Sequence, residues 1–425
     1  MTNRAEPFDI WFYLIHLCRN KSDPSIRWRA DFDSRVDVDA LKSAVTLSLK
    51  ALPVLGCSFE GRSRKARWVK KGYTGEDMVS FIEMDNDDES QIMRHLDYEI
   101  DIEGEPLLKI FVVRRTGGDT LCAIISHLVC DGVGYKRYLY LLSELYTKLK
   151  NGRELPALVS HRRGTKPLFQ GISLKERIEI LRSPSKIDFF EKLDLSGGVN
   201  FKGDGVGSYI LKTVLHKDIF YKLKYFGKSI NATINDCLIA LYARSYCNNT
   251  GTQSIMMPST IDLRKFIPEK AAYGLSNYAG NCMCDISVQP DDTLAQTISQ
   301  VSEQMRPFKE GKEVLKPILG WYLLVNLTPY QRLKKLFNER ASYPVISFTN
   351  IGIIDSSLLN FDDLPISETF MTVSVKPRPF LLIAASTYNG SCTLSCNMRG
   401  SRKDAMFIEK LFDDIRKEIE ALPEV

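Results

Sequence analysis

Leu121-Cys-Ala-Ile-Ile-Ser-His-Leu-Val-Cys-Asp-Gly-Val-Gly134 is the stretch that decides the reading of this 425-residue chain. Its first six residues form an almost unbroken apolar run, as expected of a strand buried on both faces. His127 ends the run, and Asp131, Gly132 and Gly134 follow. A helix is expected next, over Val133–Lys150, where Leu139, Leu142, Leu145, Tyr146 and Leu149 share one face. A histidine, an aspartate and two glycines therefore lie in a loop between a core strand and a helix, where catalytic groups concentrate. An imidazole, with an ordinary pKa of about 6.5, takes a proton from a hydroxyl or amine at neutral pH once its orientation and tautomer are fixed. A short turn ending in glycine folds tightly beneath such a ring, and an aspartate four residues on can hold the loop by pairing elsewhere. By itself H-x-x-x-D-G leaves two alternatives open. One is a surface histidine beside an Asp-Gly turn. The other is a metal pair at i and i+4, which needs further ligands that the neighbouring sequence does not supply.

Outward from this stretch the first half reads as mixed α/β. Leu41, Ala44, Val45 and Leu49 line one face of a helix over Asp37–Leu52 that starts near two aspartates and stops at Pro53. Leu107–Arg114 and Thr120–Ser126 flank Gly117-Gly118-Asp119, a hairpin signal. The sequence divides into a first half over residues 1–160, a Pro/Gly-rich basic connecting segment over 161–200 with one helix near Leu174–Leu181, and a second half over 201–425. In the second half strands are expected at Ser208–Leu215, Ser254–Pro258, Pro344–Thr349, Met371–Val375, Phe380–Tyr388 and Thr393–Asn397. Helices are expected at Ala232–Tyr246 and Asp404–Ala421. Asn235 and Asp236 suit the start of the first of these helices.

Composition narrows the classes. Hydrophobic residues make up 44% of the chain and charged residues 26%, enough for a large core in a soluble globular protein. The net charge of +5 is small for this length. With no zinc-finger or RNA-reading pattern, a nucleic-acid partner is not expected. Ten cysteines are scattered through the chain. The close pairs Cys282/Cys284 and Cys392/Cys396 lack compatible histidines, so reduced structural thiols are expected rather than a metal site. Met1 to Pro7 does not read as a secretory signal. The apolar stretch Ile318–Leu327 is too short for a membrane span. Together these features point to the cytoplasm. Arg62, Arg64, Lys65, Arg67, Lys70 and Lys71 cluster around Trp68, either as a solvated hairpin face or as a surface for an acidic carrier protein or coenzyme A phosphates.

Further segments, in order, give the central stretch its context. Val36-Asp-Val-Asp-Ala-Leu41 comes first, with Ala51-Leu-Pro53-Val-Leu55 after it. Ala232-Thr-Ile-Asn-Asp236, Pro258-Ser-Thr-Ile-Asp-Leu-Arg264, Asn277-Tyr-Ala-Gly280-Asn281 and Ser347-Phe-Thr-Asn350-Ile-Gly352 follow. With the H-x-x-x-D-G loop, this series resembles the superfamily of condensation domains, alcohol acyltransferases (alcohol acetyltransferases among them) and chloramphenicol acetyltransferase, over essentially the whole chain. Ser126 stands where many members have a first histidine, and the D-F-G-W-G motif of the plant acyltransferases is absent.

The resemblance implies an α/β fold of two chloramphenicol-acetyltransferase-like halves, each a mixed sheet with helices, meeting at a central tunnel. It implies an acyltransferase with His127 as general base. Asp131 and Gly132 would shape the catalytic loop, and Arg264 would pair with Asp131. Thr349, Asn350 and Ser126 are the candidates for oxyanion or substrate contacts. No bound cofactor is implied. The donor would be acyl-CoA or an acyl-carrier phosphopantetheine thioester, and the acceptor a small alcohol or amine. A carrier protein is a further candidate partner. Two other readings stay open: a stand-alone condensation protein joining carrier-bound partners, and a non-catalytic member acting as a binding module.

Overall fold

The computed structural model describes residues 2–14, 23–61, 66–84, 87–183, 207–269, 271–272, 274–340, 346–375 and 380–423. Arg62, Arg64 and Lys65 of the basic cluster, residues 184–200 of the connecting segment and the first two residues of the strand expected at Pro344–Thr349 lie outside these.

Two mixed sheets organise the chain. The first has five strands in the spatial order Ile366–Thr372, Ser25–Phe32, Gly118–Ser126, Leu108–Arg115 and Val79–Glu83. Its pairs are antiparallel except Val79–Glu83 with Leu108–Arg115, which is parallel. The second has six strands, ordered Ala279–Ser287, Ser254–Asp262, Ile346–Ile354, Leu381–Tyr388, Ser391–Gly400 and Gly207–Leu215. Ile346–Ile354 runs parallel to both neighbours. A small third sheet joins Thr2–Arg4, Arg67–Lys70 and Cys57–Glu60. This mixture of sheets and helices is the α/β class read from the sequence.

Gly118–Ser126 is the middle strand of the first sheet and all nine of its residues are buried. Covered on both faces and paired on both edges, it is a stiff rod with His127 at its end. The Gly132–Lys150 helix packs on Val38–Ala51, with Tyr138 Oη 3.5 Å from Ser48 Oγ between them. In the second half the Ile234–Thr250 helix packs between Leu294–Glu310 and Arg402–Glu420. Two buried apolar clusters result, one centred on each large sheet.

One strand departs from the linear division of the chain. Ile366–Thr372 comes from the second half but pairs with Ser25–Phe32 at the edge of the first sheet. It stays tied to the second sheet through buried polar contacts. The Met371 amide donates to Ser386 Oγ at 3.2 Å, and Thr372 Oγ1 donates to Asn397 Oδ1 at 2.8 Å. The strand read at Met371–Val375 therefore begins earlier and stitches the halves together. The Leu174–Arg182 helix forms within the connecting segment, with Ser173 and Glu176 capping it reciprocally.

The described cysteines, nine in number, are buried free thiols. Among the described residues no cluster of three or more histidine, cysteine or carboxylate side chains is placed to hold a metal ion. No described helix is long and apolar enough to cross a membrane.

Candidate active site

The loop after the central strand is built from its own backbone first. The Ser126 amide donates to the Leu107 carbonyl at 2.9 Å, and the His127 amide to the Pro24 carbonyl at 2.5 Å. Both flanking strands thus continue their pairing to the point where the loop begins. Ser126 is fully buried, and its hydroxyl accepts from the Leu128 amide at 3.4 Å. It braces the turn from inside.

Asp131 then starts the Gly132–Lys150 helix. Its Oδ1 accepts from the Gly134 amide at 2.8 Å, a helix-capping bond. The same carboxylate reaches into the second half. Arg264 donates through Nη2 to Oδ1 at 2.9 Å and through Nη1 to Oδ2 at 3.0 Å. The Tyr278 amide donates to Oδ2 at 2.6 Å. Four N–H donors therefore saturate one carboxylate whose side chain is 6% exposed, beside an arginine side chain 8% exposed. Burial works against the guanidinium charge, but Asp131 and then Asp262 more than reverse this and hold Arg264 above its ordinary range. The Tyr278 ring lies 5.0 Å from the guanidinium carbon, and its hydroxyl donates to the Gly164 carbonyl at 2.9 Å.

The Tyr278 bond brings its neighbour onto His127. Asn277 Nδ2 donates to the His127 carbonyl at 2.9 Å, and Asn277 Oδ1 lies 3.0 Å from His127 Nδ1. A carbonyl only accepts, so the amide nitrogen must face it, which leaves Oδ1 for the ring. Oδ1 also only accepts, so Nδ1 is the protonated nitrogen of the neutral imidazole and Nε2 is the basic one. Phe12 stacks on the ring, with centroids 4.3 Å apart and planes 24° apart. Orientation, tautomer and one face of the imidazole are all set by protein groups.

A second clamp holds the loop from below. Arg163, from the connecting segment, donates to the Val129 carbonyl at 3.0 Å and to the Leu275 carbonyl at 2.6 Å. It also makes a bidentate pair with buried Asp9, at 2.9 and 3.0 Å. Asp9 in turn accepts from Trp68 Nε1 at 2.7 Å. Nothing in the sequence separates Arg163 from Arg162, and Asp9 carries no motif. Asn277 stood within a recognised segment but without a role. The one available signal was that a histidine in this loop needs an acceptor for its second nitrogen.

Of the remaining candidates, the structure brings Gly132 against Ile351, where a side-chain carbon on Gly132 would meet Ile351 Cγ2 at 3.3 Å. The 349–352 segment therefore abuts the start of the helix that follows the His127 loop. Thr349 Oγ1 lies 2.7 Å from Thr260 Oγ1, and Asn350 Oδ1 accepts from the Gly352 amide at 2.9 Å. Asn350 thereby supports the bulge at which Gly352 takes a positive φ of 81°. Both side chains have local structural partners. Asp236 proves a helix-start residue, closing a reciprocal cap with Thr233 and pairing with Lys309 at 2.8 Å.

No protein-family model matches the chain. Among curated proteins, bacitracin synthase 3 of Bacillus licheniformis is 38% identical over 65 residues, which is 15% of this chain and 1% of that protein. The chain thus spans a small fraction of that relative. Solved structures match along its whole length. The first condensation domain of the CDA synthetase has a TM-score of 0.68 at 14% identity, over 100% of this chain and 98% of that one. Polyketide synthase associated protein 5 from Mycobacterium tuberculosis gives 0.67 at 14% identity, over 99% and 98%. The epimerization domain from the third module of tyrocidine synthetase B gives 0.64 at 15% identity, over 99% and 96%. The chain has the fold of the condensation-domain superfamily, with its two chloramphenicol-acetyltransferase-like halves.

Two outcomes follow from the site's electrostatics. Removing either member of the Asp131–Arg264 pair leaves the other charge buried, at a cost of about 3–5 kcal/mol. Asp131→Ala and Arg264→Ala should each lower stability by that order in urea unfolding, and the double variant should lose much less than the sum. Additive losses would contradict a coupled pair. Lys136 sits one turn into the same helix and donates to the Ile353 carbonyl at 2.9 Å. Burial outweighs its attraction to Asp262 and Asp131 and lowers its pKa from 10.5 to about 8. A lysine depressed in the folded state binds fewer protons there than in the unfolded chain, so stability rises with pH from about 8 toward 10.5. Relative to Lys136→Met, the native protein should gain stability across that window. Parallel pH curves for the two proteins would show that Lys136 titrates normally.

Proposed function

We propose that this protein is an acyltransferase that moves an acyl group from a thioester donor to a hydroxyl or amine acceptor, with His127 as general base. The observation that carries the reading is the His127 ring fixed by Asn277 at the junction of the two halves. The fold alone does not choose the chemistry, since condensation and epimerization domains share it.

In this reading Nε2 accepts the acceptor's proton as its oxygen or nitrogen attacks the thioester carbonyl. When the imidazole takes up the proton its Nδ1–H keeps its acceptor, because it already donates to Asn277. The tetrahedral oxyanion then collapses, the C–S bond breaks, and the thiolate recovers the proton from Nε2. First-turn amides of the Gly132–Lys150 helix are the oxyanion donors of choice. Gly134 is committed to Asp131, while Gly132 and Val133 have no preceding helical carbonyl to serve. Thr349 and Asn350 belong to this proposal as walls of the same region rather than as first donors. No bound cofactor is required.

A second reading, condensation between carrier-bound partners, is favoured by the kinds of protein that share the fold and by the short match to bacitracin synthase 3. The chemistry at His127 is the same in both readings, and the donor's carrier distinguishes them. Incubation with a panel of acyl-CoAs and acyl-carrier proteins, followed by mass spectrometry, decides which thioester is consumed. With that donor, His127→Ala should cut turnover about 100-fold or more with the fold intact. Asn277→Ala should lower kcat by about 10- to 100-fold with little change in KM, because it frees the ring without touching substrate. Undiminished turnover in a folded His127→Ala protein would refute the general base.

A further inference from the structure

The Pro7–Phe12 helix has six residues, too few to hold a helical form in water by themselves. Anchors from both halves of the chain set its position. From the first half, Trp68 Nε1 donates to Asp9 at 2.7 Å, and Tyr13, just past the helix, packs on Phe59 with ring centroids 4.7 Å apart. From the second half, Trp321 Nε1 donates to the Pro7 carbonyl at 2.6 Å, and Trp11 meets the Trp321 ring edge to face at 4.9 Å. Ile10, Trp11, Tyr13 and Leu14 are buried, while Phe12 among them keeps part of its surface accessible. Phe12 is the residue that lies on the half-buried His127.

A general base becomes a cation when it works, and the imidazolium needs a partner for its charge. Asn277 is a neutral acceptor at Nδ1. Asp131, four residues along, is saturated by four N–H donors and neutralised by Arg264, so it does not balance the ring. An aromatic face carries negative charge and attracts a cation within about 6 Å of its centroid. The Phe12 ring meets that condition, with centroids 4.3 Å apart and planes 24° apart. A leucine there would fill space without supplying such a face.

We propose that Phe12 is a positioning residue that stabilises the charged form of His127, and that the N-terminal helix is anchored on both halves to keep it over the ring. This rests on the general-base reading and supplies the partner for the positive charge that the reading lacks. The helix reaches the same loop a second time, because Asp9 holds Arg163 and Arg163 donates to the Val129 carbonyl. Positive charge builds on the ring as the acceptor attacks, so the effect of Phe12 falls on kcat rather than on KM.

Stepwise fluorination of phenylalanine at position 12 drains the negative face while nearly keeping the ring's shape and volume. The titration midpoint of His127, followed by NMR in histidine-labelled protein and assigned with His127→Ala, reads the outcome without substrate. The midpoint should fall with each added fluorine, by about half a unit or more in the pentafluoro ring. Phe12→Leu should fall similarly, and Phe12→Trp, with the stronger face, should hold or raise the midpoint. With a thioester donor, Phe12→Leu should lose about 3- to 10-fold in kcat at little-changed KM, and Phe12→Trp should restore most of it. A midpoint indifferent to fluorination, or one that rises with it, would overturn the proposal. Undiminished turnover in folded His127→Ala would instead refute the general base, so the two failures are distinct.

Discussion

Asp131 is the constraint on which the rest of the site depends. Its carboxylate takes two N–H donors from Arg264, one from its own helix and one from the Tyr278 backbone. It does not act on His127 directly. By fixing the Tyr278 amide it fixes Asn277, and Asn277 fixes the imidazole. Arginine suits this task because it stays charged when buried and offers two parallel donors. Lysine would supply one point of attachment and lose the second of the two parallel bonds. The spacing of four between His127 and Asp131 is what lets the ring stand at the strand end while the carboxylate caps the helix.

The loop is held from two directions by different parts of the chain. Arg264 and Tyr278 come from the second half, Arg163 from the connecting segment and Asp9 from the short Pro7–Phe12 helix. Each clamp is a bidentate guanidinium–carboxylate pair with a buried acid. Such pairs contribute little net stability, since desolvation offsets most of the attraction. Their effect is geometric: a loop with no regular hydrogen-bond ladder is confined to one conformation. The crossing strand Ile366–Thr372 adds a third tie, because it carries the second half into the first sheet next to Ser25–Phe32.

The legible parts of the sequence were those where packing and pattern agree. The run Leu121–Ser126 read as a buried strand because both its faces meet apolar layers. The helices at 38–51, 132–150, 234–250 and 402–420 read to within a few residues; the first, second and fourth each bury one stripe, while 234–250 is buried nearly all round. Ser25–Phe32 did not read as a strand, although all eight residues are buried. Arg27, Arg29 and Asp31 interrupt its apolar pattern and are hidden by long-range partners. Arg27 donates to the Leu96 carbonyl at 2.8 Å, and Arg29 pairs with Asp31 and Glu89. Arg163 and Asp9 escaped for the same reason, since a buried charge looks like a surface charge until its partner is known. Thr349 and Asn350 were chosen by motif, and only the bulge at Gly352 shows why an asparagine is needed there.

Asp131, acting through Tyr278 and Asn277, sets the tautomer of His127. The 15N chemical shifts of the His127 ring in histidine-labelled protein, recorded above the ring's titration, measure this directly and independently of substrate. The native protein should show a protonated Nδ1 and an unprotonated Nε2, and folded Asp131→Ala a mixture of tautomers. A native ring protonated at Nε2, or a tautomer indifferent to Asp131, would contradict it.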